Sequence, residues 1–377
     1  MKTVCEIDKC TGCASCKTIC PREAITIQDN IFCMNAVIND DLCIHCDKCE
    51  RVCQVNHPLH LNYPIKWYQG WCKDKDDRRK SSSGGFAYVL SKQIISENGL
   101  VASCEFFNGQ FTYTLSESFS QLDNKRGSKY VKSNPTDIYK LVLKEINAGR
   151  LVLFIGLPCH VAALKNYVGR EYDNLFTVDL ICHGSPSPKL LELFLQQYGF
   201  KLSSFKRIRF RDKTSYKLGG VLKDNTEISF TEASIKDRYS LGFLKGLFYT
   251  ENCYSCVYAT QKRMSDLTIG DSWGSELSED EKHKGISLVL CLTEKGKKLI
   301  ERCEVDLATV DIDKALAANH QLREPSIMPK SRRRFFEIIS KGTAFNKAVF
   351  MCYPKTCVRS DIKNLLIKIG FLNSSRG

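Results

Sequence analysis

The sequence has no apolar run long enough to cross a membrane. Its best stretch, residues 151–157, is the size of one strand, and a spanning helix needs about 20 residues. The first residues, MKTVCEIDKC, hold no apolar segment of the secretory kind, which predicts a cytoplasmic protein with reduced thiols. There is no low-complexity tract. With 43% hydrophobic and 26% charged residues the composition excludes a disordered chain. No Ser–His–Asp arrangement and no paired-carboxylate site stands out, so hydrolytic chemistry is not indicated. What is abundant is cysteine, 20 in 377 residues. That is too dense for a chance set of buried thiols, and the chain is too long for a small disulfide scaffold. Metal, cluster or redox chemistry remains. The 55 Lys+Arg against 42 Asp+Glu give a formal charge of +13. This allows nucleic acid, an anionic membrane surface or an anionic cofactor. The length predicts two or three domains.

Half of the cysteines lie in the first 53 residues. The run Cys10-Thr-Gly-Cys13-Ala-Ser-Cys16-Lys-Thr-Ile-Cys20-Pro21 is repeated as Cys43-Ile-His-Cys46-Asp-Lys-Cys49-Glu-Arg-Val-Cys53, without the closing proline. This is the bacterial ferredoxin signature for two 4Fe–4S clusters. Three closely spaced thiolates in a tight loop wrap three irons, and the fourth ligates the other cluster. Cys10, Cys13, Cys16 and Cys53 are therefore assigned to one cluster, and Cys43, Cys46, Cys49 and Cys20 to the second. Zinc would be satisfied by paired C-x2-C units and would not need this run twice. Cys5, in an extended Val-Cys-Glu-Ile stretch, and Cys33 lie outside the pattern and read as packed thiols. Residues 24–28 and 36–38 are the expected flanking strands.

Residues 56–64 read as a linker by their Pro and Asn content. Beyond it, strand-like runs at 151–155, 175–181, 267–269 and 286–290 alternate with helical patterns at 159–168 and 189–198. Such alternation predicts an α/β domain, in which ligands sit beyond the carboxyl ends of strands. Three motifs fall at such ends: Gly156-Leu-Pro-Cys159-His160, Asp179-Leu-Ile-Cys182-His183-Gly184 and Gly270-Asp271-Ser-Trp273-Gly274. A fourth, Cys253-Tyr-Ser-Cys256, is a C-x2-C pair. The four cysteines could converge on one iron–sulfur cluster; zinc or unrelated thiols are the alternative. Ser81-Ser-Ser-Gly84-Gly85-Phe-Ala opens a helix to about residue 98, where amide donors suit a phosphate, although Ser-Gly also caps many helices. Arg126-Gly-Ser-Lys129-Tyr130-Val is either a cofactor contact or a solvated basic loop.

Together these stretches resemble the beta-subunit family of coenzyme F-420 hydrogenases and dehydrogenases. The matching segments are the double ferredoxin run, SSSGGFA (81–87), GSKYV (127–131), GLPCHVAAL (156–164), DLICHGSPSP (179–188), CYSC (253–256) and TIGDSWG (268–274). They run in order from residue 5 to about 275. The resemblance implies a mixed α/β (α+β) flavin-binding domain, residues 65–325, preceded by a small bacterial ferredoxin-like domain, residues 1–60. It also implies one FAD and a third 4Fe–4S cluster on Cys159, Cys182, Cys253 and Cys256. It favours Ser83, Gly84 and Gly85 for the flavin phosphates, and Lys129, Tyr130, Asp271 and Trp273 as flavin or coenzyme contacts. His160 stands where the family more often has Gln and reads as a helix-face residue. His183 is the candidate catalytic proton relay, with a structural hydrogen bond as the alternative.

The function implied is an iron–sulfur flavoprotein oxidoreductase. It would pass electrons between a two-electron carrier of deazaflavin or nicotinamide type, FAD and the clusters, with a redox partner protein or small electron carrier. The second reading is an electron-transfer accessory protein for a partner enzyme, as in relatives that resemble accessory proteins of surface-polysaccharide synthesis. Nucleic-acid binding is excluded on balance. The one basic strand pattern, Lys206-Arg-Ile-Arg209-Phe-Arg211, equally suits an anionic cofactor. Residues 326–377 form a basic helical region. Its end, with Leu365, Leu366 and Ile369 beside Lys363 and Lys368, predicts an amphipathic helix that docks on the main domain or touches an anionic membrane surface.

Overall fold

The computed structural model describes residues 2–213, 215–231, 235–369 and 371. The first segment carries a two-stranded antiparallel ribbon, β1 (Ile25–Asp29) and β2 (Met34–Ile38), flanked by the short helices Ser15–Ile19 and Lys48–Arg51. The cysteine loops repeat in backbone as well as in sequence. Gly12 and His45 hold corresponding places in the two runs, and so do Ala14 and Asp47; all four have positive φ. Three of the four are not glycine, so the left-handed conformation is strained. It turns successive amides toward the loop interior, where an anion is stabilised.

The large sheet is built from β3 (Lys66–Cys72), β4 (Leu100–Phe107), β5 (Gln110–Ser116), β6 (Val152–Gly156) and β7 (Leu175–Leu180). A separate three-stranded antiparallel sheet follows: β8 (Phe205–Asp212), β9 (Ser215–Leu222) and β10 (Glu227–Ser229). Then β11 (Leu267–Asp271), β12 (Ser287–Cys291) and β13 (Val305–Ala308) complete the large sheet in the order β13-β3-β12-β11-β7-β6-β4-β5. Its centre, β4-β6-β7-β11, is parallel, and the outer pairs are antiparallel. Both faces of β6 are covered. Val152 and Phe154 pack with Val161 and Tyr139 on one side; Leu153 and Ile155 pack with Phe86 and Leu90 on the other. This explains why the strand reads as an unbroken apolar run rather than an alternation.

The helices Pro158–Val168 and Pro188–Gln196 each begin at proline, where the missing N–H costs nothing. The C-terminal helices are not a detached tail. Phe335, Phe345, Ala348 and Val349 join the aromatic core that also holds Phe194, Tyr239 and Phe248.

Three details differ from the sequence expectation. Cys5 lies in a bend, not a strand. Strand β8 does not present one basic face: register shifts at 205/207 and 209/211 leave Arg207 and Arg209 exposed and turn Arg211 inward. The linker is fastened, with Asn166 donating to the His57 carbonyl and Asn62 paired with Arg263.

Candidate functional site

Strands β6, β7 and β11 all point their carboxyl ends at one cavity of about 290 Å3. Its wall includes Leu157, Cys182, His183, Asp271 and Trp273 from these ends. The helix Phe86–Ser96 brings its N-terminus to the same space, with Ser83 and Gly85 at the rim. Gly85 has φ +93, which a side chain rarely adopts, and a Cβ there would press on the Cys72 sulfur at 2.8 Å. Gly84 is different. It is absent from the wall, and its amide donates to Ser287 Oγ at 3.0 Å. A Cβ on it would meet the Gly70 carbonyl at 2.3 Å. Close strand packing, rather than a free amide for a phosphate, accounts for this glycine.

The segment 125–130 supplies cations. Lys125 Nζ donates to the carbonyls of Ser103 and Thr114, and Lys129 Nζ to those of Lys125 and Arg126. Neither lysine has a carboxylate in these bonds. Burial lowers both ammonium pKa values, Lys125 to about 8. An anion entering the cavity would restore the balance. The same segment starts an aromatic wall. Tyr130 stacks on Tyr216 at 5.5 Å and on Phe243 at 4.4 Å. Arg211 grips Asp271 with two bonds, 2.5 and 2.8 Å. Burial opposes the Arg211 charge, and Asp271 outweighs it, holding the guanidinium above its ordinary value. The apolar walls, hydroxyls and cations fit a flat ring system with an anionic tail, the chemistry of a flavin nucleotide.

His183 lines this cavity, and its Nδ1 accepts from Gln321 Nε2 at 2.6 Å. Burial lowers the pKa of His183 to about 4, and His320 adds to this, so the ring is neutral. His160 does not reach the cavity wall. It is buried, with Nδ1 3.0 Å from the Tyr113 hydroxyl.

The cysteines fall into three groups. Cys10, Cys13, Cys16 and Cys53 line one cavity; Cys20, Cys43, Cys46 and Cys49 line another. Thus each run contributes its last cysteine to the other run's group. Backbone amides point at the sulfurs: Gly12 N to Cys10, Ala24 N to Cys20 and His45 N to Cys43, at 3.3 to 3.5 Å. Cys5, outside the motif, also lines the first cavity and hydrogen-bonds to Cys10 and Cys53. It is buried, as its reading as a packed thiol expects.

The third group is Cys159, Cys182, Cys253 and Cys256, which act on one another electrostatically. Cys182 also belongs to the large cavity, while Cys159 lies near enough to Cys13 to feel its charge. Among the described residues, no group of three or more His, Cys, Asp or Glu could hold a metal ion. A cubane differs from a single ion in sitting between its four sulfurs and holding them apart.

The sequence reading missed Lys132, which sits among these cysteines. It is 4% exposed, and its Nζ donates to the Thr11 carbonyl at 2.9 Å. Burial works against its charge; Cys253, Cys159, Cys10 and Cys182 outweigh it and raise the pKa. Only its polar type in a buried segment could have signalled this. The ferredoxin-like segment is further tied to the main domain by Tyr139, which donates to the Cys13 carbonyl, and Tyr258, which donates to Gln54.

Residues 149–315 match the family described as the C terminus of the beta subunit of coenzyme F420 hydrogenase/dehydrogenase. The match holds β6, β7, β11 and all four cysteines of the third group, and it extends past the motif at 268–274 on which the resemblance ended. Among solved structures, the chain is similar to one from the F420-reducing [NiFe] hydrogenase complex of Methanosarcina barkeri, studied by xenon derivatization. The two share 17% identity with a TM-score of 0.47, over 75% of this chain and 94% of that one. No curated protein matches the chain.

Proposed function

We propose that the chain is an iron–sulfur flavoprotein oxidoreductase that moves electrons between a two-electron carrier, FAD and three 4Fe–4S clusters. The observation that supports this reading is a row of sites. The large cavity shares Cys182 with the third cysteine group, that group adjoins Cys13, and the helix Ser15–Ile19 separates Cys13 and Cys20, one from each N-terminal group. FAD, when bound in the large cavity, would exchange electrons in pairs with a carrier and singly with the clusters.

The residues of the chain bind and orient. Ser83, Gly85 and the start of the helix Phe86–Ser96, with Lys125 and Lys129, hold the anionic tail. Tyr130 and Trp273 line the space the ring would take, and Asp271 fixes Arg211 there. His183 places a neutral imidazole in the cavity wall, suited to hydrogen-bond a heteroatom of the cofactor or carrier. The carrier is of deazaflavin or nicotinamide type, and the electrons leave to a redox partner protein.

Anaerobic mixing tests this. Reduced deazaflavin, NADH or NADPH should bleach the flavin absorbance. Bleaching by reduced ferredoxin alone would favour the accessory-protein reading, and bleaching by no donor would reject both.

Peripheral membrane contact has its own support. The helix Pro354–Lys368 leaves Val358, Ile362 and Leu365 exposed, with Ile369 beyond it. These residues share one face. Its single acid, Asp361, is engaged by Arg238, so the free charges beside the stripe are Lys355, Arg359, Lys363 and Lys368. No helix among the described residues is long and apolar enough to cross a membrane. The double variant I362E/L365E should lose co-sedimentation with phosphatidylglycerol vesicles by tenfold or more. Equal sedimentation of both forms, or binding of neither, rejects the contact.

A further inference from the structure

We infer that Lys132 is the cation that sets the reduction potentials of the two clusters it lies between. This rests on the cluster reading above. The segment around Lys132 is pinned at both ends of its reach. Its backbone N–H donates to the Pro186 carbonyl at 2.8 Å, in the loop that follows Cys182. Its Nζ donates to the carbonyl of Thr11, the residue between Cys10 and the Gly12–Cys13 turn. The ammonium thus stands where the third cysteine group meets the first N-terminal group.

The groups that bear most strongly on this cation are Cys253, Cys159, Cys10 and Cys182, and no carboxylate is among them. An ammonium this deeply buried is strongly disfavoured without an anion. Neutral thiols and one carbonyl do not supply one. Two clusters do, because an oxidised cubane with four thiolates carries about −2. Each one-electron reduction adds a further negative charge to the cluster. A fixed cation nearby therefore stabilises the reduced form more than the oxidised form and raises the potential. The group of Cys20, Cys43, Cys46 and Cys49 has no such cation among its lining partners except the exposed Lys2, Arg22 and Lys48. Lys132 would hold the inner two clusters above the outer one, so that electrons from the outer cluster run downhill toward the flavin and outward transfer needs a low-potential donor or removal by the partner.

The competing role is mechanical: Lys132 as a peg that positions the Thr11 loop. Lys132→Gln removes the charge and keeps an N–H donor, while Lys132→Arg keeps both. Midpoint potentials are read by EPR-monitored redox titration of the full chain, with iron content measured on the same samples. The expected result is iron unchanged in both variants. At the wild-type midpoint, the reduced-to-oxidised ratio of the inner clusters should fall about tenfold in Lys132→Gln, which is about 59 mV for a one-electron couple. The outer cluster should move less, and Lys132→Arg should stay near wild type. Should the glutamine variant fail to assemble the inner clusters while the arginine variant assembles them, the requirement for a cation stands. Unchanged potentials in Lys132→Gln overturn the inference, as do equal shifts or equal cluster loss in both variants. Wild-type protein with no third cluster overturns the cluster reading itself, irrespective of Lys132.

Discussion

Cys253→Ser lowers the iron content by about four per chain and leaves the signals of the two N-terminal clusters in place. Cys253 lies in the turn Glu251–Ser255, half-buried, with its sulfur 3.5 Å from Thr250 Oγ1 and 3.8 Å from Asn252 Nδ2. These polar neighbours, with Lys132 nearby, surround the sulfur. A serine oxygen is shorter, harder and protonated at neutral pH, so it serves an iron poorly. The N-terminal groups lie in other cavities and keep all eight of their cysteines. Iron and acid-labile sulfide assays with EPR of the reduced protein check this. Cys352→Ser is the control: that thiol is free and half-buried beside the Ser331 carbonyl, so the iron content should not change. A Cys253→Ser protein with full iron would remove this residue from the ligand set.

Arg211→Met destabilises the protein by about 3 kcal/mol, seen as a lower midpoint in urea. Arg211 comes from the bulged strand β8, and Asp271 from the end of β11. Their side chains are 4% and 18% exposed. Removing the cation, which lies over Tyr216 and Trp273, leaves the Asp271 carboxylate without its two charge-assisted bonds. The residual exposure of Asp271 keeps the cost at the lower end of the range for broken buried pairs. The double variant R211M/D271L should recover most of the loss, because no charge is then left uncompensated. A double variant as unstable as the single one would show that packing of the strand, not the ion pair, was lost. The three-stranded sheet thereby has a defined job: it brings one cation over the cavity and anchors it to the large sheet.

The parts legible in sequence are those whose partners are close along the chain. The cysteine runs announce themselves because three of each cluster's ligands must come from one tight loop. The α/β alternation is legible because β6 is covered on both faces and so is wholly apolar. Other features depend on contacts between distant segments. Lys132 reads as one more basic residue after Tyr130-Val131 until Thr11 is folded against it. Arg211 reads as part of a basic face until two bulges reverse its direction. Gly84 looks like its neighbour Gly85, yet one supports strand packing and the other turns the chain at positive φ. Periodicity carries no information about which glycine meets which backbone. The C-terminal helix is a further case. Its amphipathic pattern is plain, but the sequence does not say which face docks. The buried side is marked by Cys357, and the apolar stripe at Ile362 and Leu365 faces out.

On the proposed function, twelve of the 20 cysteines ring three clusters in a row beside one flavin. The most direct test is the iron, acid-labile sulfide and FAD content of the full chain prepared without oxygen. The expected result is about 12 irons, about 12 sulfides and about one FAD per chain. About eight irons with zinc at the third cysteine group, or a chain that takes up no flavin, would contradict the account.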